Sequence, residues 1–540
     1  MSPAFAFGLW DWAVVIAYLV VVLLIGAWAS RGAGASGEDL FLAGRSLGCV
    51  AVGLSLFASN ISSTTLIGVA GAAYSSGISV AHYELMAALV LVFMAVVTIP
   101  VFLRARVTTI PQYLERRFGP RHGPAVCRYI SALTIFLSIF VDTAGSVYAG
   151  VLVLQVLVPG VPFLPACIAL AVFAGLYTAA GGLRAVVYTD VLQALVLLVG
   201  AAIIGHQVFA QFDFSWAAAS ASVPADHLSL VRPLDDPDLP WLGVVLGLPV
   251  LGFYYWGANQ YIMQRVLGAR SLPHARGGAL LAAALKLLPL FLMAIPAAFA
   301  FSLLPGLAQG DQVFPALIAR FLPAGVAGLV VAGLIAAIMS TIDSTLNASS
   351  TLVMVDFVRA EERGWSPRRI VRAGRLATAA FVVIAALWPL VIRDFPGLFN
   401  YIQQVFSYAV PPVVAVLLLG MLWRRMDGRA ALVALLVGHA GGAAVLVWRV
   451  LALRQGVDDG LPHFTIVAGL TALLCAAIAW LATVAGGRHD GEGDRPGPAI
   501  REDLLWHRAD AATPARGWRD YRWQSIGLVI AVAASVWAFR

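Results

Sequence analysis

Lys286 is the only lysine in the sequence, and it lies in the middle of the apolar stretch 277–301. The other basic residues are arginines, and nearly all of them fall in short polar segments. A cation at the centre of a bilayer costs about 2.5–3.5 kcal/mol on insertion scales, so such a residue normally faces a protein-lined cavity and has a partner. An ammonium group donates hydrogen bonds and accepts none. Lys286 therefore predicts a polar site inside a membrane protein.

A second polar signal is the run SNISSTT, residues 59–65, which interrupts the apolar segment 48–76. A third is a polar stripe at helical spacing in the segment 324–355, made of Ser340, Ser344, Asn347 and Thr351. Carbonyl groups freed at a helix break, together with hydroxyl groups, suit an alkali cation, and secondary transporters hold ions at such breaks. Either segment alone is equally compatible with helix packing through small hydroxyl residues. Together with Lys286, the two segments favour a transport site.

Membrane-spanning helices must position these residues. The chain of 540 residues is 61 % apolar and 12 % charged, with a mean hydropathy of +0.87, which excludes an ordinary soluble globule. Apolar runs of about 20 residues are long enough to cross a hydrocarbon core. The sequence predicts an all-α polytopic membrane protein with about fourteen such helices: roughly 10–29, 48–76, 79–103, 128–157, 163–181, 186–210, 240–266, 277–304, 324–355, 374–392, 398–422, 430–453, 463–485 and 523–539.

The basic residues orient these predicted helices. With the N-terminus outside, most arginines fall in inner loops, for example Arg104 and Arg116 after the third apolar segment and Arg359 and Arg363 after the ninth. Positive charge accumulates on the cytoplasmic side of membrane proteins. We therefore expect a plasma or inner membrane protein with both termini extracellular or periplasmic. The net charge of +7 then reflects membrane orientation, with the lipid bilayer and not nucleic acid as the partner.

The order of the segments predicts three parts. Residues 1–47 form an extra N-terminal helix and a cytoplasmic loop, 48–453 form the transport core, and 454–540 form the C-terminal helices. Residues 486–522 are rich in Gly, Asp, Arg and Pro and are interpreted as a cytoplasmic linker. The four cysteines have no metal or redox spacing, so we interpret them as packing residues.

The seventh apolar segment is also irregular, because it contains Pro249, Gly252 and Gly257. It is the fifth segment after the interrupted second one, with four others between them. That spacing is expected if two five-helix units, 48–210 and 240–453, are related by inverted topology and each opens with a broken helix.

Long motifs in the same order make the chain resemble the sodium:solute symporter family, and specifically its sodium/glucose cotransporter branch. The resemblance extends over almost the whole length and includes FLAGRSLG (41–48), SLFASNISSTTLIGVAGAA (55–73), TIPQYLERRFG (109–119), GGLRAVVYTDVLQ (181–193), YYWGANQYIMQR (254–265), IMSTIDSTLNASSTL (338–352) and YIQQVFSYAVPP (401–412). It implies a leucine-transporter-like core of two inverted five-helix repeats. It also implies alternating access and the coupled import of a small polar solute, in the first place a monosaccharide, with sodium.

The resemblance implies a sodium site at the break in the second segment. Its ligands would be the backbone carbonyl groups of Ala58, Ile61 and Ala337 and the hydroxyl groups of Ser340 and Thr341. Helical spacing places residues 337, 340 and 341 on one face, which agrees with this assignment. Five oxygen ligands suit a partly dehydrated hard cation.

The resemblance also implies a solute site. Three positions match polar residues that sugar-binding members use: Glu84, Lys286 and Gln403. Their chemistry fits a polyol, because a carboxylate accepts hydrogen bonds from hydroxyl groups, an ammonium donates them and an amide does both. Tyr255 matches the aromatic residue that covers the sugar, with Trp256 as its neighbour, and Asn60 matches a gate asparagine near the substrate.

The sequence departs from the sugar pattern at three positions. Thr65 stands where a larger hydrogen-bonding residue is usual, Gly252 replaces a polar side chain, and Asp142 is an acid in place of an amide or a base. Glu84 and Asp142 around the single Lys286 make a net acidic pocket if all three are ionised. That disfavours anionic solutes and leaves sugars, polyols and cationic amines open.

A second ion site is possible around Asp190, Asp343 and Ser344. The resemblance places Asp190 near the sodium path, and Asp343 adds a carboxylate where other members have a hydroxyl group or alanine. Two neighbouring carboxylates either share a cation or raise one pKa until a proton is held. A second sodium, a proton and a structural role for Asp343 all stay open.

Other functions are less consistent with these residues. A sodium-coupled carrier of an inositol, an amino acid or an amine is the main alternative. A passive channel is the third option, and uphill accumulation driven by a sodium gradient would distinguish a carrier from it. The sequence has no acidic metal motif and no nucleophile–base pair, so we do not expect an enzyme.

Overall fold

The computed structural model describes residues 7–29, 37–61, 63–157, 160–307, 309–393, 398–485, 503–512, 517 and 520–540, apart from the side chains of 37, 40, 63–64, 156–157, 176–182, 336, 399–400 and 453–454. These residues are almost entirely helical. Their only β-structure is one bridge between Leu47 and Ala269. In lipid every backbone polar group needs an internal partner, and a helix provides it within one segment.

The described α-helices follow one another along the chain as α1 (Leu9–Ala29), α2 (Gly37–Leu42), α3 (Cys49–Asn60), α4 (Ser63–Ser76), α5 (His82–Val96), α6 (Thr98–Ala105), α7 (Ile110–Phe136), α8 (Ala144–Leu157), α9 (Phe163–Ala210), α10 (Trp216–Ala221), α11 (Trp241–Leu246), α12 (Leu248–Phe253), α13 (Gln260–Leu267), α14 (Leu272–Leu285), α15 (Ile295–Leu303), α16 (Val313–Phe321), α17 (Val326–Leu352), α18 (Pro367–Leu387), α19 (Pro389–Ile392), α20 (Leu398–Ala409), α21 (Pro411–Leu422), α22 (Gly428–Gln455), α23 (Phe464–Ala485) and α24 (Tyr521–Ala538). Short 3₁₀ turns cover Ala43–Arg45, Ile78–Ala81, Ala225–Leu228, Gly310–Gln312 and Arg508–Ala511.

Membrane-length helices match the predicted segments. Within the described residues, ten helices are long and apolar enough to cross a membrane, and two bent helix pairs raise the number to twelve. The two other predicted segments, 163–181 and 523–539, lie on the shorter apolar helix Phe163–Gly175 and on α24. The backbone of α9 is helical through 48 residues, so the boundary that the sequence predicts between 181 and 186 is not a break in the helix.

The predicted helix breaks are present. The halves Cys49–Asn60 and Thr65–Ser76 meet at 54° around Ile61. In the seventh segment, Asn259 has extended backbone angles between the π-helical turn Tyr254–Ala258 and α13. Three further π-helical segments cover Leu137–Thr143, Leu290–Ala294 and Val353–Phe357. Such segments are rare and occur mostly at functional sites.

Several arginines are buried within helices instead of lying in polar loops, among them Arg117 and Arg265. Arg117 lies within α7 and is 2 % exposed, and its guanidinium donates to the carbonyl groups of Gly420 and Trp423 at 2.7 and 2.9 Å. Arg265 is fully buried in α13. A planar guanidinium with five donors can be satisfied entirely by protein oxygens, which explains how both charges tolerate burial.

The predicted linker 486–522 is described only in part. Residues 503–512 pack against the ends of several helices: Arg104 bonds to Asp510 and to the carbonyl groups of Asp503 and Leu505, and the Trp506 indole donates to Val96. This part of the segment is therefore attached to the helix bundle.

Candidate solute and ion site

A cavity of about 100 Å³ opens between α4, α5, α12, α17 and α20. All predicted solute residues except Lys286 line it: Asn60, Thr65, Glu84, Asp142, Tyr255, Trp256 and Gln403. Residues that the sequence analysis did not assign also line it, among them Tyr261, Ile402 and Phe406. Ile402 and Phe406 lie beside Gln403 on the same face of α20 at helical spacing. Once Gln403 is assigned to the solute site, this spacing identifies the side of α20 that faces the cavity.

Lys286 lies behind Glu84. The lysine is fully buried and Glu84 is 5 % exposed, and the ammonium bonds to the Glu84 carboxylate. Glu84 is in the first turn of α5, and Lys286 is the C-terminal cap of α14. Helix N-termini favour negative charge and C-termini favour positive charge, so the two helix ends stabilise both partners. The ammonium also lies 5.6 Å from the Trp256 ring centre.

Three aromatic residues form one wall of the cavity. Tyr255 and Trp256 are consecutive in the π-helical turn, with ring centres 5.4 Å apart at 72°. The Tyr261 hydroxyl donates to the Tyr255 hydroxyl at 2.6 Å, and Tyr255 donates to the Ser59 carbonyl at 3.4 Å. The wall is therefore tied to the end of α3, where the second segment breaks.

Two polar atoms at the cavity accept no hydrogen bond of normal length and angle from the described residues. They are Oδ2 of Asp142, which is 7 % exposed and lies in the π-helical segment Leu137–Thr143, and Oδ1 of Asn60. A buried polar atom without a hydrogen bond costs about 1–3 kcal/mol. Both residues line the cavity, so a hydroxyl-bearing molecule bound there could satisfy them.

The predicted sodium ligands lie where α3 breaks and packs against α17. Ala58, Ile61, Ala337, Ser340 and Thr341 are all buried. The Ser340 hydroxyl donates to Asp190 Oδ1 at 2.5 Å, which leaves its oxygen lone pairs free to coordinate a cation. Thr341 donates to the Ala337 carbonyl at 3.1 Å and also lines the solute cavity. The candidate ion and solute sites therefore share a residue.

Arg265 occupies the centre of the predicted second ion site. Its Nη2 donates to Asp190 Oδ2 at 2.9 Å and to the Ser344 hydroxyl at 2.7 Å. Its Nε donates to the Ser55 hydroxyl at 2.7 Å, and Nη1 donates to the Tyr261 carbonyl. Asp190, Asp343 and Arg265 are each fully buried.

Sequence reasoning missed Arg265. The signal that could have found it is its position inside the predicted span 240–266, one turn after Tyr261. A basic residue within a span requires a partner for the same reason as Lys286. Among the described residues, no group of three or more His, Cys, Asp or Glu side chains could hold a metal ion.

Comparisons with known proteins identify the family of the chain. The model of the sodium:solute symporter family matches residues 40–438. The mouse sodium/myo-inositol cotransporter 2 is 35 % identical over 483 residues, which cover 83 % of this chain and 70 % of that protein. The mouse sodium/glucose cotransporter 4 is 33 % identical and aligned over 89 % of this chain and 76 % of its own length.

Solved structures show the same fold. A sodium-coupled sialic acid symporter in an outward-open state gives a TM-score of 0.75 at 24 % identity, covering 89 % of this chain and 98 % of the other. A nucleobase-cation-symport-1 family transporter in a closed conformation gives 0.53 at 14 % identity, covering 87 % and 99 %. Together with the all-helical architecture, these likenesses confirm the predicted leucine-transporter-like fold.

Proposed function

Because this chain belongs to the sodium:solute symporter family, it is a multi-pass sodium-coupled carrier and not an enzyme, and we propose that it imports a monosaccharide by alternating access. A relative that transports myo-inositol makes an inositol the second candidate. Both are neutral rings that carry several hydroxyl groups.

The arrangement of Glu84 carries this proposal. Its carboxylate lines the cavity while Lys286 neutralises it from behind, so it offers acceptor oxygens to hydroxyl groups without adding net charge. Gln403 lines the same cavity and supplies an amide that both donates and accepts. The rings of Tyr255 and Trp256 offer apolar faces to the C–H side of a sugar ring. Hydroxyl groups on one side and aromatic rings on the other suit a cyclic polyol.

Sodium would bind between the carbonyl groups of Ala58, Ile61 and Ala337 and the hydroxyl groups of Ser340 and Thr341. These residues lie on α3 and α17, so an ion between them favours the conformation in which the two helices approach. An ion can drive the cycle only if it binds one conformation more tightly than the other. Since Thr341 belongs to both sites, sodium binding would also shape the solute cavity.

We propose that one sodium ion is transported per solute. The guanidinium of Arg265 already occupies the space between Asp190 and Ser344, as a second cation would. One charge crossing 100 mV provides about 2.3 kcal/mol, and a tenfold sodium gradient adds about 1.4 kcal/mol. These terms sustain roughly 500-fold accumulation, which is sufficient without a second ion.

The remaining assignments follow from charge and topology. We propose a plasma or inner membrane location with both termini outside, because most arginines would then lie on the cytoplasmic side. We propose repeats at 48–210 and 240–453, flanked by 1–47 and 454–540.

Uptake into proteoliposomes tests the function. The purified chain is reconstituted, a sodium gradient is imposed, and labelled monosaccharides, myo-inositol, amino acids and amines are offered in turn. The proposal expects uphill accumulation of a sugar that collapses when the gradient is dissipated. Sodium-independent equilibration would indicate a passive channel, and accumulation of an amine or amino acid alone would overturn the solute assignment.

A further inference from the structure

Asp11 lies in the first turn of α1, the helix that precedes the transport core, and it is 2 % exposed. Its carboxylate serves two helix N-termini. Oδ2 accepts from the Gly8 N–H at 3.0 Å, which caps α1 itself. Oδ1 accepts from the N–H groups of Gly325 and Gly328 at 2.7 and 2.8 Å. These two groups belong to the start of α17, more than 300 residues away in sequence.

The start of α17 has no cap of its own. Gly325, at the N-cap position, has a positive φ of 83° and no side chain that could accept a bond. The N–H groups of Val326 and Ala327 bond to the Pro323 carbonyl at 3.1 Å, and Leu329 begins the helical series by bonding to Gly325. The N–H groups of Gly325 and Gly328 are left over, and Asp11 accepts both. The first turn of α17 is thus fully bonded only because α1 lies beside it.

The two helices also touch through their backbones. A Cβ atom added to Gly328 would lie 2.6 Å from both Cα and the carbonyl oxygen of Asp11, closer than real contacts allow. Only glycine at this position permits the approach that the hydrogen bonds require. The outer end of α17 is therefore fixed against α1 by bonding and by shape.

α17 is a continuous helix of 27 residues, and it carries Ala337, Ser340 and Thr341. At 1.5 Å per residue, these ligands lie about 14–20 Å along the axis from Gly328. A helix-dipole effect falls off within the first turn, so the charge of Asp11 does not reach them. A rigid helix, however, transmits a displacement of its end along its whole length.

We propose that Asp11 is a positioning residue for the sodium site, which it controls through the placement of α17 relative to the break at Ile61. This inference rests on the sodium site of the proposed function. Under this proposal α1 affects ion coupling, although it contributes no residue to the cavity or to the candidate ion ligands.

Binding of radiolabelled sodium to the purified full-length protein tests the inference. Asp11→Ala removes both bonds to α17, and we expect the sodium half-saturation concentration to rise on the order of tenfold. Asp11→Asn keeps an Oδ1 acceptor toward Gly325 and Gly328, so it should stay within roughly twofold of the wild type. Gly328→Ala separates the helices by a different route and should shift sodium binding in the same direction as Asp11→Ala.

Asp520→Ala is the matched control. Like Asp11, Asp520 is a buried carboxylate at a helix start, 3 % exposed, and as the N-cap of α24 it accepts from the Arg522 N–H at 2.9 Å. The Asp520→Ala substitution should leave sodium binding unchanged. At saturating sodium, the solute affinity of Asp11→Ala should equal that of the wild type. The inference is overturned if Asp11→Ala binds sodium like the wild type, if Asp11→Asn is as impaired as Asp11→Ala, or if Asp520→Ala causes the same shift. A wild-type protein that binds no sodium would instead refute the proposed ion site.

Discussion

The ammonium group of Lys286 bonds to the carboxylate of Glu84, and it is Glu84 that lines the cavity. Lys286 is completely enclosed, so at the proposed solute site it would act on the solute only through its partner. The pair brings a carboxylate to the cavity surface without net charge. The same arrangement suits the acceptance of hydrogen bonds from hydroxyl groups of a neutral solute.

Replacing Lys286 should damage both stability and solute binding. In Lys286→Met the Glu84 carboxylate keeps its burial but loses its partner, a change that costs about 3–5 kcal/mol. We expect a lower melting temperature and a solute half-saturation concentration at least roughly tenfold higher. The double variant Glu84→Gln/Lys286→Met removes both charges and should recover most of the melting temperature but not the solute affinity. Full recovery of uptake in the double variant would show that the pair is only structural.

Ser340→Ala should weaken sodium dependence. The substitution removes a candidate ligand and its bond to Asp190, so we expect the sodium half-saturation concentration for uptake to rise roughly tenfold or more. Ser350→Ala is the control, because Ser350 is buried on the same helix and donates to the Gly374 carbonyl at 3.2 Å, away from the candidate ion ligands. Equal effects of the two substitutions would speak against the sodium assignment.

Arg265 should set the number of coupled ions. The Arg265→Gln substitution removes the guanidinium next to Asp190 and Asp343. Two buried carboxylates without a neighbouring cation recruit a cation or a proton. We expect the charge moved per solute, measured by current and tracer uptake together, to be one in the wild type and to increase in the variant. Arg276→Gln removes another buried arginine, bonded to the Ala95 carbonyl at 2.8 Å, and should leave the ratio at one. A wild-type ratio of two would contradict our proposal.

Asp142→Asn should alter solute selectivity. Asp142 presents a buried oxygen without a partner to the cavity, and the amide offers a donor where the carboxylate offers only acceptors. We expect loss of affinity for solutes with a hydroxyl donor at that end, with sodium affinity unchanged. Competition by a series of deoxy sugars measures this selectivity. The wild type should bind the sugar that lacks one particular hydroxyl group more weakly than the others, and the variant should not distinguish it. Identical rank orders would remove Asp142 from the solute site.

The segment 211–239, which connects α9 to α11, should lose stability at acid pH. Burial by itself would raise the pKa of Asp236, but hydrogen bonds from the Leu239 N–H and from Arg232 outweigh burial and hold the pKa below its ordinary value of 3.8. A depressed pKa stabilises the folded loop above pH 3.8, and this contribution is lost as the pH falls through the folded-state pKa.

Melting curves of Asp236→Asn measure this contribution. The variant should melt below the wild type at neutral pH, and the difference should shrink as the pH falls below 3.8. Asp235→Asn changes a neighbouring exposed carboxylate and should have little effect at either pH. A difference that stays constant with pH would show that the hydrogen bonds to Asp236 do not depend on its charge.

Local patterns in the sequence determined the membrane class, the order of the helices and the places where they break. The run at 59–65 and the small residues around Tyr255 predicted the two breaks, because a polar or kinked stretch inside an apolar run is visible within one segment. Of that run, Ser62 and the side chains of Ser63 and Thr64 lie outside the described residues. Helical spacing likewise placed Ala337, Ser340 and Thr341 on one face. The family resemblance supplied the pairing of that face with Ala58 and Ile61.

Only the tertiary structure decided which buried charges meet. The family resemblance placed Glu84 and Lys286 at one site, but only the structure shows that Lys286 lies behind Glu84, that Arg265 bonds to Asp190, and that Asp11 caps the helix that begins at Val326. Each of these contacts joins segments at least 75 residues apart. Periodicity reveals the polar face of a single helix, whereas the partner of that face depends on how several helices pack around one another.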